Sequence, residues 1–431
     1  MLEYHVLFVV LLVGTEAFFT LLSLLNVRYG AATARAESEW MHETLGVDDL
    51  DAVLDYQRAR TGLSLVSTWV ALGFLLVALY TGLISDVVAA LAASGLSELA
   101  QGVVFVALLL LAGQLVNIPF DLYSTFVVEE QFGFNNQTPK LWVKDLAIGT
   151  VVSTLIVSLL AGAVLWFVSA LPTYWPAAAW ALVVAFSLAM LVIKPRVIDP
   201  IFNDFTPVEE SDLRDAVDDV FERAGFRCDQ VYEMDASKRS GHSNAYFTGF
   251  GRTKRVVLYD TLVEQMEVDE IQAVLAHELA HWKRGHIWKF VALAAVQFAV
   301  VFGVLGYLVS QGWLYTMFGL PQVEYAGLFV AILFVGPVMQ LTSPIQNYFS
   351  LAYEREADTF AVETMGSSPM ANALANLASE NMSNPFPHPL YETFHYDHPP
   401  IPERIRYIEA MGDGGDSASD GPAGEDAPTA D

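Results

Sequence analysis

Seven apolar stretches, at residues 5–27, 64–85, 102–121, 146–171, 174–195, 287–310 and 325–346, dominate the chain. A helix needs about 20 such residues to cross the hydrocarbon core of a bilayer, so the sequence predicts a polytopic α-helical membrane protein with seven spans. The composition agrees: 54% of the residues are hydrophobic and 16% charged, too apolar for an ordinary soluble protein of this length. The first stretch has no basic leader and contains Glu16, so it reads as a retained span rather than a cleaved signal peptide.

Basic residues collect on the cytoplasmic side of a membrane, which tests the span count. With seven spans, the segments 28–63, 122–145 and 194–289 and the region after 346 share one side, and all 22 Lys and Arg residues fall there. None falls in the loops near 86–101, 172–173 and 311–324. The expected topology therefore places the N-terminus outside and the C-terminal region inside. The net charge is −27 with few lysines, which argues against nucleic acid as a partner. Acidity of this kind reads as solvation, as in proteins of a high-salt cytoplasm, and points to the cell membrane of a salt-adapted microbe. Cys228 is the only cysteine, so an internal disulfide and a cysteine-rich metal cluster are both excluded.

Along the chain, residues 1–198 read as five spans with inner loops, 199–286 as a soluble α+β segment and 287–346 as two further spans. Residues 347–411 form the C-terminal part of that soluble domain, and 412–431 a disordered acidic tail. Within the soluble segment, "SDLRDAVDDVFERAG" has a Ser-Asp start, an apolar stripe and a Gly stop, as an amphipathic helix does. "DQVYEMD", "NAYFTGF" and "KRVVLYD" read as strands of a small antiparallel sheet. "VDEIQAVLAHELAHWKRGH" then carries apolar residues at helical spacing, acidic at its start and basic at its end.

That helix holds the chemistry. Side chains four apart lie on one helical face, so His277 and His281 can share a metal, while Glu278, one residue round, reaches water held there. Zinc is the metal this pattern serves best, because it brings the pKa of water near 7, where a carboxylate can take the proton. HExxH arises by accident in about one chain in a hundred, but the apolar setting of "AVLAHELAH" is poor for two surface histidines. A third ligand is needed. The metzincin pattern is closed, because positions 284 and 287 are Arg and Ile. A second helix, "SLAYEREADTFAVETMG", puts Glu354, Ala357, Asp358 and Ala361 on one face, narrow enough to press against the first. Glu354 is the expected third ligand and Asp358 the carboxylate that orients a ligand histidine. His286, five residues past His281, lies off the ligand face of a continued helix.

Five blocks, "LYSTFVVEEQFGFNNQT" (122–138), "SKRSGHSNAYFTGFGRTKRVVLYDTL" (237–262), "LAHELAHWKRGH" (275–286), "NYFSLAYEREAD" (347–358) and "HYDHPPIPERI" (395–405), resemble in order those of the integral-membrane type 1 CAAX prenyl proteases. The resemblance implies a zinc endopeptidase whose seven spans surround a water-filled internal chamber, with a small inner-side zincin-like α+β domain. Substrates would be peptides or proteins, prenylated near a CAAX C-terminus. By position, His277, His281 and Glu354 match the zinc ligands, Glu278 the general base and Asp358 the acid closing the third-ligand motif. Asn244 matches an edge segment that pairs with extended substrate. His398 and Arg404 match residues that help hold substrate and the developing oxyanion. The chain departs from the family at Leu351, where Arg is usual. An HtpX-type quality-control membrane protease shares the metal motif on fewer spans and is the alternative reading.

Overall fold

The computed structural model describes residues 1–228, 230–249 and 254–416. All seven expected spans are helices: Leu2–Ala36, Leu50–Tyr80, Glu98–Tyr123, Pro139–Ala170, Trp175–Ile193, His286–Val309 and Glu324–Leu341. Several outrun their apolar stretches. The first continues to Ala36 and the second starts at Leu50, so much of the 28–63 segment is helix, with Asp49 capping the second through Ala52 N at 2.9 Å. A short apolar helix, Leu83–Ala92, occupies part of the expected 86–101 loop.

Each span packs on the next in chain order, and the seventh returns to the first, so the helices close a ring. At one end the ring is crossed. Gly102 on the third span lets Leu165 and Tyr325 approach where a Cβ would stand, and Tyr325 Oη donates to Gln101 Oε1 at 3.3 Å. Protein covers little of the spans: 6% of the apolar window is buried in the third, fifth and sixth, against 39% in the seventh, the span that closes the ring. Leu115, Val151 and Val296 are 65–70% exposed. Water would penalise such surfaces and hydrocarbon does not.

The soluble segment differs from expectation in its sheet. Strand order is β1 (Phe205–Pro207), β2 (Val231–Met234), β4 (Arg255–Tyr259), β3 (Ala245–Thr248). Outer pairs β1·β2 and β3·β4 are antiparallel, but β2 and β4 run parallel, so the sheet is mixed. β3 and β4 form an antiparallel pair, and β4 docks beside β2, which leaves β3 at the edge. β1 went unread because its three residues end in a proline, a weak strand signal.

Below the sheet lies the helix Asp212–Arg223, capped by Ser211. Next to it is the HELAH helix, Val268–Lys283, opened by a reciprocal capping box between Glu267 and Glu270. Val217, Val220, Leu258, Ile271 and Leu279 join in one core, each burial contributing about 1.5–3 kcal/mol. The helix Ser343–Met365 lies directly against the HELAH helix. Ala276, Ala280, Ala357 and Ala361 are fully buried between or beside them, and the small side chains permit the close approach. The face read from the sequence, Glu354, Ala357, Asp358 and Ala361, is buried throughout. The last helix runs from Ile401 to Asp416, into the tail expected to be disordered from 412; residues 417–431 lie outside the described residues.

Candidate metal centre

Where the two helices meet, three side chains converge. His281 Nε2 is 3.2 Å from His277 Nε2 and 3.2 Å from Glu354 Oε1, and His277 Nε2 is 3.3 Å from Glu354 Oε2. The carboxylate straddles the two rings, one oxygen towards each, and one donor atom from each of the three residues can be chosen with all within 4.8 Å of one another, close enough to share one ion. Among the described residues these three form a group able to hold a metal. The polar chemistry fits as well: Glu354 is 3% exposed and its Oε2 is buried without a hydrogen bond, the Arg404 guanidinium standing 3.8 Å away, so a bound cation would satisfy an oxygen that is otherwise left short of partners. Burial pushes the Glu354 carboxyl up, but His277 and His281 outweigh it and hold it well below the usual range. Burial pushes His277 down, and the carboxylates of Asp358 and Glu354 beside it overcome this and raise it to about 9.

Each histidine is held from behind. With Nε2 turned to the metal, His277 Nδ1 carries the proton and donates to Asp358 Oδ1 at 2.9 Å. Asp358 is fully buried and accepts a forked pair from Arg404, Nε at 2.9 Å and Nη2 at 2.6 Å. His281 is supported differently. Its Nδ1 lies 3.0 Å from His286 Nδ1, and His286 Nε2 lies 3.0 Å from Glu356 Oε2. With His281 donating from Nδ1, His286 accepts there and donates from Nε2 to Glu356, which fixes both tautomers. The bond to His286 in turn holds the Glu356 carboxyl below its usual range.

Sequence reasoning passed over His286 because it continued the helix through that position. The helix ends at Lys283, and Gly285 takes φ +69°, a left-handed conformation that costs other residues about 1–2 kcal/mol. The turn folds His286 back beneath His281, 1% exposed and stacked on Tyr353 at 4.4 Å. The signal was the glycine itself. Replacing His286 with Ala is expected to weaken metal binding about tenfold or more, read by competition with a chromophoric chelator. Unchanged affinity would mean that His281 needs no such support.

Glu278 stands one residue round from the triangle, half-buried, on the wall of a cavity of about 150 Å³ shared with Asn244, His398 and Arg404. His398 reaches the triangle from the C-terminal segment: Nε2 is 3.3 Å from Glu354 Oε1, and Nδ1 is 2.8 Å from Asp397 Oδ1. Burial lowers the His398 pKa, but these carboxylates outweigh it and raise it. Asn244 is exposed at the start of β3, its Oδ1 accepting from Ala245 N at 2.8 Å. Arg404 is 7% exposed and spends its fork on Asp358, with Nη2 also 3.4 Å from His277 Nδ1 and 3.8 Å from Glu354 Oε2, so it backs His277 chiefly through that carboxylate. Leu351, one turn before Glu354, is half-buried.

Seven membrane helices together with a HExxH helix and a convergent glutamate define an integral-membrane metallopeptidase, and residues 207–412 match peptidase family M48. Residues 33–204 match the family described as CAAX prenyl protease N-terminal, five membrane helices. The chain belongs to the CAAX prenyl protease 1 family. It is 37% identical over 316 residues to the CAAX prenyl protease 1 homolog of Arabidopsis thaliana, covering 73% of this chain and 74% of that one. With CAAX prenyl protease 1 of Saccharomyces cerevisiae the identity is 35% over 332 residues, 73% of each. The crystal structure of S. mikatae Ste24p superposes with a TM-score of 0.85 at 27% identity, covering 94% of this chain and 98% of that one.

Proposed function

We propose that this metallopeptidase uses zinc, held by His277, His281 and Glu354, to cleave a peptide bond near the C-terminus of prenylated CAAX-type substrates. The observation that carries the reading is the convergence of His277, His281 and a buried Glu354 carboxylate, each ring nitrogen 3.2–3.3 Å from a carboxylate oxygen, in a chain whose relatives are named for that activity. Bound zinc supplies Lewis acidity, polarising the scissile carbonyl and acidifying water. Substrate lies extended along β3, with Asn244 at its edge. Glu278 takes a proton as water oxygen attacks the carbonyl carbon; the C–N bond then breaks, and the proton passes to the leaving amine nitrogen. His398, protonated on Nε2, donates a hydrogen bond to the developing oxyanion. Arg404 holds Asp358, which with His286 keeps the two histidines aimed.

The closed ring of spans supports an internal chamber above this site. Basic residues confined to one side support an active site facing the cytoplasm and an outside N-terminus, and the −27 charge supports the membrane of a salt-adapted cell. The five-helix N-terminal match favours this reading over the HtpX type, which has fewer spans. The test is cleavage of two matched CAAX-ending peptides, one prenylated and one not, by purified protein in high salt. The prenylated peptide is expected to be cut at least tenfold faster in kcat/KM. Equal rates would point to a general membrane protease.

A further inference from the structure

A second cavity of about 600 Å³ opens beside the metal centre, between the soluble domain and the second span, and runs from His398 and Asn244 past His242 and Asn381 to Arg60. Arg60 is the one guanidinium or ammonium among the residues that line it. Its side chain is 54% exposed, and the nearest carboxylate oxygen, Glu129 Oε1, is 3.9 Å away, beyond hydrogen-bond distance. Glu129 is occupied elsewhere: both its oxygens accept from Tyr56 Oη, at 3.2 and 3.0 Å, and Oε2 lies 3.5 Å from His242 Nε2. The Tyr56 ring, 5.3 Å from the Arg60 carbon, steadies the guanidinium from one side. Arg60 is thus held in place with its fork not spent on Glu129, in a protein of net charge −27 that would otherwise repel an anionic chain end.

The sheet says which end of a substrate would arrive there. β3 pairs with β4 along one edge and is last in the strand order. A chain added antiparallel to it, the more stable pairing, runs from Thr248 towards Asn244. Beyond Asn244 the protein chain leads back to Ser243 and His242, on the wall of the larger cavity, whereas Thr248 packs against the fifth span through Leu191 O. The carboxyl side of the substrate therefore enters the cavity. An extended chain advances about 3.4 Å per residue, so a fragment of a few residues past the cleaved bond is short enough for its terminus to end in that space.

From this geometry we infer that Arg60 is the docking point for the free C-terminal carboxylate of the substrate, by a forked guanidinium–carboxylate pair. The inference rests on the reading that cleavage occurs near a C-terminus, and it adds the group that recognises that terminus.

The experiment uses the metal-loaded Glu278→Gln protein in detergent and four fluorescent peptides of one CAAX-ending sequence, prenylated or not and ending in a carboxylate or a carboxamide. Binding is read by anisotropy. Carboxylate peptides are expected to bind about tenfold or more tightly than carboxamides. Adding Arg60→Gln should remove that preference while leaving carboxamide affinity unchanged, which a folding defect would not do. Adding Arg60→Lys should restore part of it. Equal binding of acid and amide, or a preference that survives Arg60→Gln, overturns the inference even if prenylated peptides are favoured. An Arg60-dependent acid preference without a prenyl preference upholds the subsite and removes the prenyl reading. Binding of none of the four overturns both.

Discussion

Glu278→Gln is expected to lower peptide turnover by at least a hundredfold while metal affinity stays within about twofold. The carboxylate stands outside the triangle of His277, His281 and Glu354, so its loss removes no metal donor. It lines the same small cavity as His398 and Asn244, where a scissile carbonyl would sit between β3 and the metal. Gln keeps the volume and polarity but cannot accept a proton from water. The measurement is kcat/KM on a quenched-fluorescence peptide, with bound metal counted on the same sample. Activity within tenfold of wild type at full metal occupancy would remove Glu278 from the role of base.

The second large effect belongs to the buried ion pair behind His277. Asp358→Ala is expected to cost about 3–5 kcal/mol of stability, because the buried Arg404 would lose its forked partner and keep only the more distant Glu354, 3.8 Å away. It should also weaken metal binding by about 10–100-fold, because His277 Nδ1 loses its acceptor. The two effects separate in a double variant. Asp358→Ala with Arg404→Met removes both charges and should recover most of the thermal stability, since an apolar replacement of a buried pair is often neutral. Metal affinity should stay low. Wild-type affinity in the double variant would show that Asp358 does not orient the ligand histidine.

Features carried by local pattern were legible in the sequence. Hydropathy located all seven spans, because lipid selects for unbroken apolar runs. Helical spacing gave the buried face of Glu354, Ala357, Asp358 and Ala361 correctly, because Ser343–Met365 is one regular helix. Features decided by distant contacts were not legible. The parallel pairing of β2 with β4 depends on which strand docks where, and alternation within a strand carries no information on that. His286 was lost because one left-handed glycine ends the period on which its placement relied. Arg60 is far in sequence from everything it serves, and in the chain it looks like any other residue at the foot of a span.

The ring of spans also has a consequence for how the enzyme is made. His277 and His281 precede the sixth span and Glu354 follows the seventh, so the two helices that form the metal centre cannot meet until that last hairpin has been threaded into the bilayer. On the proposed assignment, a chain still being inserted carries His277, His281 and Glu278 but lacks Glu354, Glu356 and Asp358. On that assignment, assembly of the last pair of spans would be the arming step, and a chain stopped before it would lack the third metal ligand.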